Sequence, residues 1–435
     1  MSPAILPAYH SPTESPPSYT DSPQEDETTV AHSPRTGSRS HQGTCVKCWK
    51  EVTIILKDQD ESSPLPVFSR GGIINGEVGV SNPECVVEIT AKLSGQMSLM
   101  ITDCGSTGAV LVSEKKVIWS QDSEGNLKGQ CPSILPFLLR FPQTFQDHDA
   151  RDFKLPPSFE ATFLGVPALF AKCVYTLTIT ISTTKRYGLA SWNRSRMFSM
   201  VLDYRPRTRP NRPIVMVDTI FASIKPVPEE WKQLILTMGT RSGSKCRPVE
   251  CHLLLPSIQT FAISDTVPFH LQLRGSLECL REILPPSSCL LDPNHEKIRE
   301  RTLDLTPTGP HSIRVYLARQ VHLEVNGRKR FRTCTVGTSQ MWPVPPVIPR
   351  EGETSSVTND LDDICLDWQG ELKCREDVSV ASFHAGSLAV KDFLVVGLAP
   401  SDISSSFLRA VQLVQPIRLV TDSWVEIEQV HPRDV

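Results

Sequence analysis

The hydrophobic and polar positions of this chain alternate with a period of two over short runs. From Cys85 to Leu93, the side chains of Val87, Ile89, Ala91 and Leu93 share one face, and Glu88, Thr90 and Lys92 share the other. Tyr175 to Ile181 repeats the pattern, with Thr176, Thr178 and Thr180 on the polar side. Ile313, Val315 and Leu317, then Val321, Leu323 and Val325, carry it into the second half of the chain. Successive side chains of a strand point to opposite faces, so these runs predict strands with one buried and one wet face, as in antiparallel sheets. Further strand-like runs lie at Val378–Phe383, Leu388–Val396 and Leu408–Trp424. Helical periodicity is confined to Leu277–Leu284 and Asn294–Arg301, which predict short helices at most. Many short strands between Gly and Pro turns predict an all-β chain built of β-sandwiches.

Composition interrupts this pattern in three places. Residues 1–44 hold 7 Pro, 8 Ser and 5 acidic residues with almost no aliphatic clusters. Such a segment buries too little surface to offset its chain entropy, so a disordered tail is expected. Arg205-Pro-Arg-Thr-Arg-Pro-Asn-Arg-Pro213 is charged and extended, and its prolines bar it from a sheet interior. It separates about 160 residues from about 220, each enough for one sandwich. The expected organisation is thus a tail over 1–44, a sandwich over 45–205, a basic linker over 206–213 and a second sandwich over 214–430. A further break from Trp342 to Pro349 leads into Ser, Thr and Asp, which predicts a loop insertion at about 349–378.

At 435 residues the chain is long enough for two to three domains. Its net charge of −3 argues against a broad polyanion-binding face, and no nucleic-acid partner is expected. The amino terminus lacks the basic and apolar regions of a signal peptide, and no apolar run approaches the roughly 18 residues of a membrane span. The 13 Cys are irregularly spaced, which suits small buried hydrophobes better than a disulfide framework. Cys45-Val-Lys-Cys48 has the spacing of half a zinc site, but no second pair follows to complete four ligands. Asp360-Leu-Asp-Asp363 lacks the Gly and distal Glu of a calcium loop and reads as a solvated acidic segment. With no nucleophile elbow, paired histidines or phosphate-binding Gly loop, neither catalysis nor a cofactor or metal is expected.

Two groups of residues carry binding chemistry instead. Pro16-Pro17-Ser18-Tyr19 joins a polyproline II pair to an amphipathic ring, and it resembles the ligand of a WW domain. Leu6-Pro7-Ala8-Tyr9 is a second version of the motif, and Ser15, one of five Ser-Pro serines in the tail, directly precedes Pro16. Phosphorylation of Ser15 would place about −1.5 to −2 charges beside the docking prolines. The second group is basic: Lys185, Arg186, Arg194 and Arg196 around one loop, and Arg205, Arg207, Arg209 and Arg212 along the linker. Guanidinium forks match phosphate oxygens, so these residues are candidates for anionic lipid head groups, with a solvated basic linker as the alternative.

Tandem sandwiches with a Pro-Pro-x-Tyr tail resemble the α-arrestins, ubiquitin-ligase adaptors of the arrestin clan. Leu155-Pro-Pro-Ser-Phe159 follows Phe137-Leu-Leu-Arg-Phe-Pro142 as in arrestin amino-terminal domains, and Val174–Ile181 is similar to the long strand that comes next. Gly72–Val80 resembles an early strand of that domain; Val249–Leu255 with Pro256 and Val267–Leu273 resemble the opening strands of the second. The likeness covers roughly 50–425, and its departure is that the tyrosine motifs precede the sandwiches instead of following them. The resemblance implies two arrestin-like immunoglobulin-type sandwiches and a non-enzymatic adaptor. Such an adaptor recruits a WW-domain HECT ubiquitin ligase of the Nedd4 type to a membrane protein cargo, a transporter or receptor, for ubiquitination and endocytosis. It implies a cytoplasmic protein, peripherally at the plasma membrane and endosomes. A coat or retrieval subunit of the same fold, or a DNA-binding sandwich using the Arg-rich linker, remain as alternatives.

Overall fold

Alternation between buried and exposed side chains builds three main sheets. The computed structural model describes residues 27–29, 43–60, 63–121, 130–187, 190–215, 220–241, 247–284, 312–345 and 363–424. In the first half, Gly43–Cys48, Val52–Gln59, Ile73–Val80 and Ile134–Arg140 form a four-stranded antiparallel sheet in that order. Facing it is a six-stranded sheet whose long members are Ala190–Tyr204, Leu169–Tyr187, Val86–Ile101 and Gly105–Ser120, all antiparallel. Val67–Phe68 and Phe159–Phe163 flank them. Ile54, Leu56, Ile74 and Phe137 from one sheet bury against Ile89, Leu93, Leu177 and Ile179 from the other. This is the all-β sandwich that the period of two predicts.

One residue departs from the expected face. Val86 is buried and Val87 is half-exposed. The pairing shifts there: Ser182 stands opposite Glu88 and Thr183 opposite Val86, so Val87 is the extra residue of a bulge. Beyond the bulge Ile89, Ala91 and Leu93 return to the core as expected. The Leu155-Pro-Pro-Ser158 turn closes the end of the sandwich. Tyr175 donates its hydroxyl to the Pro156 carbonyl at 2.6 Å, and the Tyr204 amide donates to Ser158 Oγ at 2.8 Å. Tyr175, Tyr204 and Phe141 pack there with ring centroids 5.0–5.6 Å apart.

The second half builds one ten-stranded sheet that curls around its own core. Its order begins Trp231–Met238, Val249–Pro256, Thr266–Ser276, Asp363–Cys374 and Arg328–Val344. It continues through Ile313–Val325, Leu388–Leu398, Val411–Val420 and Thr260–Ala262, with Phe383–Ala385 added at the side. The curl nearly closes, because the Arg241 amide donates to Phe407 O at 2.7 Å and the Arg409 amide to Gly239 O at 3.0 Å. The helix Leu277–Ile283 is present, capped by Ser276 Oγ accepting from the Cys279 amide. The expected helix at Asn294–Arg301 lies outside the described residues.

Three expectations are corrected. Asp363–Cys374, expected inside a loop at 349–378, is an interior strand between Thr266–Ser276 and Arg328–Val344. Its own alternation, with Trp368, Gly370 and Leu372 facing in, explains why. The strand expected at Val378–Phe383 forms only at Phe383–Ala385. In the segment expected to be a disordered tail, Glu27–Thr29 pairs antiparallel with Thr208–Pro210 of the basic linker. The prolines are satisfied because this two-stranded ribbon has no sheet interior.

The two halves share buried surface. Val321, Leu323, Val325, Leu388 and Val390 belong to the core of the first sandwich, although their strands lie in the second sheet. Truncating Leu323 to Ala should cost about 2–5 kcal/mol of unfolding free energy, as for other buried leucines. Urea denaturation checks this, and a loss below about 1 kcal/mol would show that the shared surface contributes little.

Candidate functional site

The strands Ile313–Val325 and Leu388–Leu398 each turn a single face to two cores. Along the first, Ile313, Val315 and Leu317 enter the second core, and Val321, Leu323 and Val325 enter the first. Between these triplets, on the same face, stands Arg319, which is 6% exposed. Along the partner strand Leu388 and Val390 enter the first core, Leu394, Val396 and Leu398 the second, and Asp392 at 0% exposure stands between. The two charges are opposite one another in the pairing register.

Their geometry satisfies both groups. Arg319 Nε donates to Asp392 Oδ1 at 2.7 Å and its terminal nitrogen to Oδ2 at 3.1 Å. Ser382 Oγ donates to Oδ2 at 2.6 Å and accepts from the Leu419 amide at 2.9 Å. Burial pushes the Arg319 pKa down, but the Asp392 carboxylate more than offsets this and leaves it above the ordinary value. Arg319, but not the fully buried Asp392, lines a cleft of about 610 Å³ between the halves. Its walls are the Leu155–Ser158 turn and residues 377–384, and Arg70, Lys154, Arg205 and Arg418 line it alongside Glu160 and Asp203. That volume and mixed lining suit a small polar ligand or a peptide side chain.

The basic residues singled out from the sequence fare differently from one another. Arg205 pairs with Asp203 at 2.6 Å, Arg207 with Asp422 at 2.6 Å and Arg212 with Glu230 at 3.3 Å. Arg196 pairs with Glu51, whose carboxyl is held below its ordinary range by that hydrogen bond. These four guanidinium groups thus already have carboxylate partners, and Arg207 and Arg212 tie the linker to the second half. Arg194 is exposed, and Arg209 pairs in the ribbon through its backbone. Lys185 and Arg186 lie at the end of Leu169–Tyr187, paired with Trp192 and Ser191 in the ladder. Of the WW-type motifs, Leu6, Pro7, Tyr9, Pro16, Pro17 and Tyr19 all lie outside the described residues.

A second cationic feature escaped the reading from sequence. Arg328-Lys-Arg-Phe-Arg332 follows Asn326-Gly327, a two-residue hairpin turn with φ of 52° and 74°. Asn-Gly suits that left-handed turn better than any other pair, so it signalled the hairpin. The hairpin meets two loop tips of the first sandwich. Asn326 Nδ2 donates to Cys104 O at 2.8 Å, Arg330 pairs with Asp103 at 3.5 Å, and Arg332 donates to Pro167 O at 2.6 Å. Phe331 stacks on His322 with centroids 5.1 Å apart. Burial, with Lys391 second, lowers the His322 pKa from 6.5 to about 4. Arg319 and Asp392 were also missed, although a lone charge on the apolar face of each strand was visible.

Among the described residues no group of three or more His, Cys, Asp or Glu could hold a metal ion. Cys48 is exposed and Cys45 half-buried, with burial raising the Cys45 thiol above its ordinary pKa. No helix among the described residues is long and apolar enough to cross a membrane. No family model matches the chain, and no curated protein matches it.

Replacing Arg319 by Ala should cost about 3–5 kcal/mol, because Asp392 is left buried and uncompensated. The double change Arg319→Met, Asp392→Leu should recover most of that loss; a double variant no more stable than the single one would contradict the seam geometry. His322 has a folded pKa below its unfolded value, so its contribution is present above pH 6.5 and is lost as pH falls towards 4. A pH series of denaturation midpoints should show this slope, and His322→Gln should flatten it.

Proposed function

We propose that the chain is a non-enzymatic adaptor of the α-arrestin kind, which brings a WW-domain HECT ubiquitin ligase of the Nedd4 type to a membrane protein cargo. The observation that carries this reading is Pro16-Pro17-Ser18-Tyr19, on a tail joined to two all-β units, a sandwich and a curled sheet. The Leu155-Pro-Pro-Ser158 turn, locked to Tyr175 and Tyr204, supports the arrestin likeness of the first unit. In this reading the sandwiches hold cargo and the tail holds ligase, and ubiquitin passes from one to the other for endocytosis at the plasma membrane and endosomes.

The ribbon between Glu27–Thr29 and Thr208–Pro210 bears on how far the ligase can be held from the cargo. Measured from Gly43, where the first sandwich begins, Tyr19 could reach about 80 Å. Measured from Glu27 it reaches at most about 28 Å, because only seven residues intervene. The adaptor therefore holds its ligase near the linker side of the molecule. Tyr9 and Pro16 are no more than about 25 Å apart when extended, which leaves little room for two WW domains at once. The Leu6-Pro7-Ala8-Tyr9 motif then acts mainly by raising rebinding.

Calorimetric titration of a tandem pair of WW domains from a Nedd4-type ligase into the full-length chain tests the reading. A Kd of about tens of micromolar or tighter is expected, weakened at least tenfold by Tyr19→Ala. Binding that is absent, or indifferent to both Tyr9 and Tyr19, would overturn the ligase role and favour a sorting subunit of the same fold.

A further inference from the structure

The three hairpin tips that meet where the halves join combine two unusual properties. In the first sandwich, the turn after Phe159–Phe163 presents Leu164 at 82% and Val166 at 99% exposure. Two apolar side chains so fully in water, two residues apart on one turn, gain nothing for the fold itself. Beside them Arg332 donates to Pro167 O, which sets the Arg328–Arg332 strand against that turn. Phe331 on the same strand is 48% exposed. The segment carries Arg328, Lys329, Arg330 and Arg332, and the carboxylates paired with it are Glu324 and Asp103. An excess of cations is thus concentrated at this end of a chain whose net charge is −3.

We propose that this edge docks on an anionic lipid surface, with Leu164 and Val166 entering the head-group region and Arg328 and Lys329 facing the lipid phosphates. Apolar tips flanked by basic residues are how peripheral proteins bind bilayers, because apolar burial and attraction to anionic lipid add together. The basic linker serves this purpose less well, since Arg205, Arg207 and Arg212 are paired with Asp203, Asp422 and Glu230. The roles within the hairpin divide by contact. Arg330 and Arg332 hold it to the first sandwich and exposed Arg328 also interacts with the Cys104 thiol, whereas Lys329 pairs with Glu324 at 3.5 Å and its side chain is largely exposed. The Asn326-Gly327 turn fixes the strand that carries these cations next to the apolar tip. The inference adds a membrane-facing surface to the adaptor reading and rests on that reading only for its purpose.

Co-sedimentation of the full-length chain with phosphatidylcholine vesicles, with and without phosphatidylserine, tests it. Binding to the phosphatidylserine vesicles is expected, with little binding to phosphatidylcholine alone. Arg328→Gln with Lys329→Gln should weaken it roughly 30-fold, the effect of two basic residues near an anionic surface. Leu164→Ser with Val166→Ser should weaken it about tenfold. All four positions are exposed, so unchanged thermal unfolding will show that neither pair of changes acts through the fold. Absence of vesicle binding, or binding that both variants retain, would overturn the proposal. So would concentration-dependent self-association in sedimentation velocity that the Leu164, Val166 variant abolishes, because the tips would then cover a second copy. WW binding is measured without vesicles, so the adaptor reading and the lipid surface can fail independently.

Discussion

The Arg319–Asp392 pair is the point from which the rest of the molecule is arranged. Alternation fixes which face of a strand is buried, but a slip of two residues leaves that face unchanged. Such a slip would set Arg319 against Val390 or Leu394 and leave two buried charges uncompensated, at a cost of several kcal/mol. The pair thus sets the register that alternation leaves open. With the register set, Val321, Leu323 and Val325 are delivered to the first core and Ile313, Val315 and Leu317 to the second. A buried ion pair stabilises little in itself, and here its role is to specify one arrangement among several of similar burial.

That arrangement has consequences at both ends of the seam. Towards one side it opens the cleft floored by Arg319 and walled by the Leu155–Ser158 turn. Towards the other it carries Asn326 and the basic hairpin against Cys104, Asp103 and Pro167. The linker is tied down as well, by Arg207 to Asp422 and by hydrogen bonds between Thr208 and Thr421. The proposed adaptor is accordingly a stiff spacer with a short tether: ligase motifs near the linker, apolar and basic tips at the join. Stiffness is useful to such a protein, because a fixed geometry raises the effective concentration of ligase at whatever surface the tips occupy.

Much of this was legible in the sequence, and the remainder was hidden for physical reasons. The period of two locates Val86–Ile101, Leu169–Tyr187, Ile313–Val325 and Leu388–Leu398, since half-buried strands write their geometry into every second residue. Bulges are silent in that code, which is why Val87 reads as a core residue and is not one. Asp363–Cys374 is concealed by the polar run before it, although its own alternation is intact. Which core a face packs against is a tertiary property, so Val321 and Leu323 read as strand residues without revealing that they enter the opposite half. Arg319 and Asp392 do leave a trace, a single charge of each sign on an apolar face. The basic linker is conspicuous in the sequence because charge is easy to count, and the carboxylates that pair with it come from distant positions. Glu51 for Arg196 and Asp422 for Arg207 illustrate that distance.

The first sandwich and the curled second sheet are joined through a common buried seam and do not act as beads on a linker. Differential scanning calorimetry of the full-length chain tests it most directly. A shared core predicts one cooperative transition, with the calorimetric enthalpy equal to the van't Hoff enthalpy. Two separable transitions, each with its own midpoint and enthalpy, would contradict it.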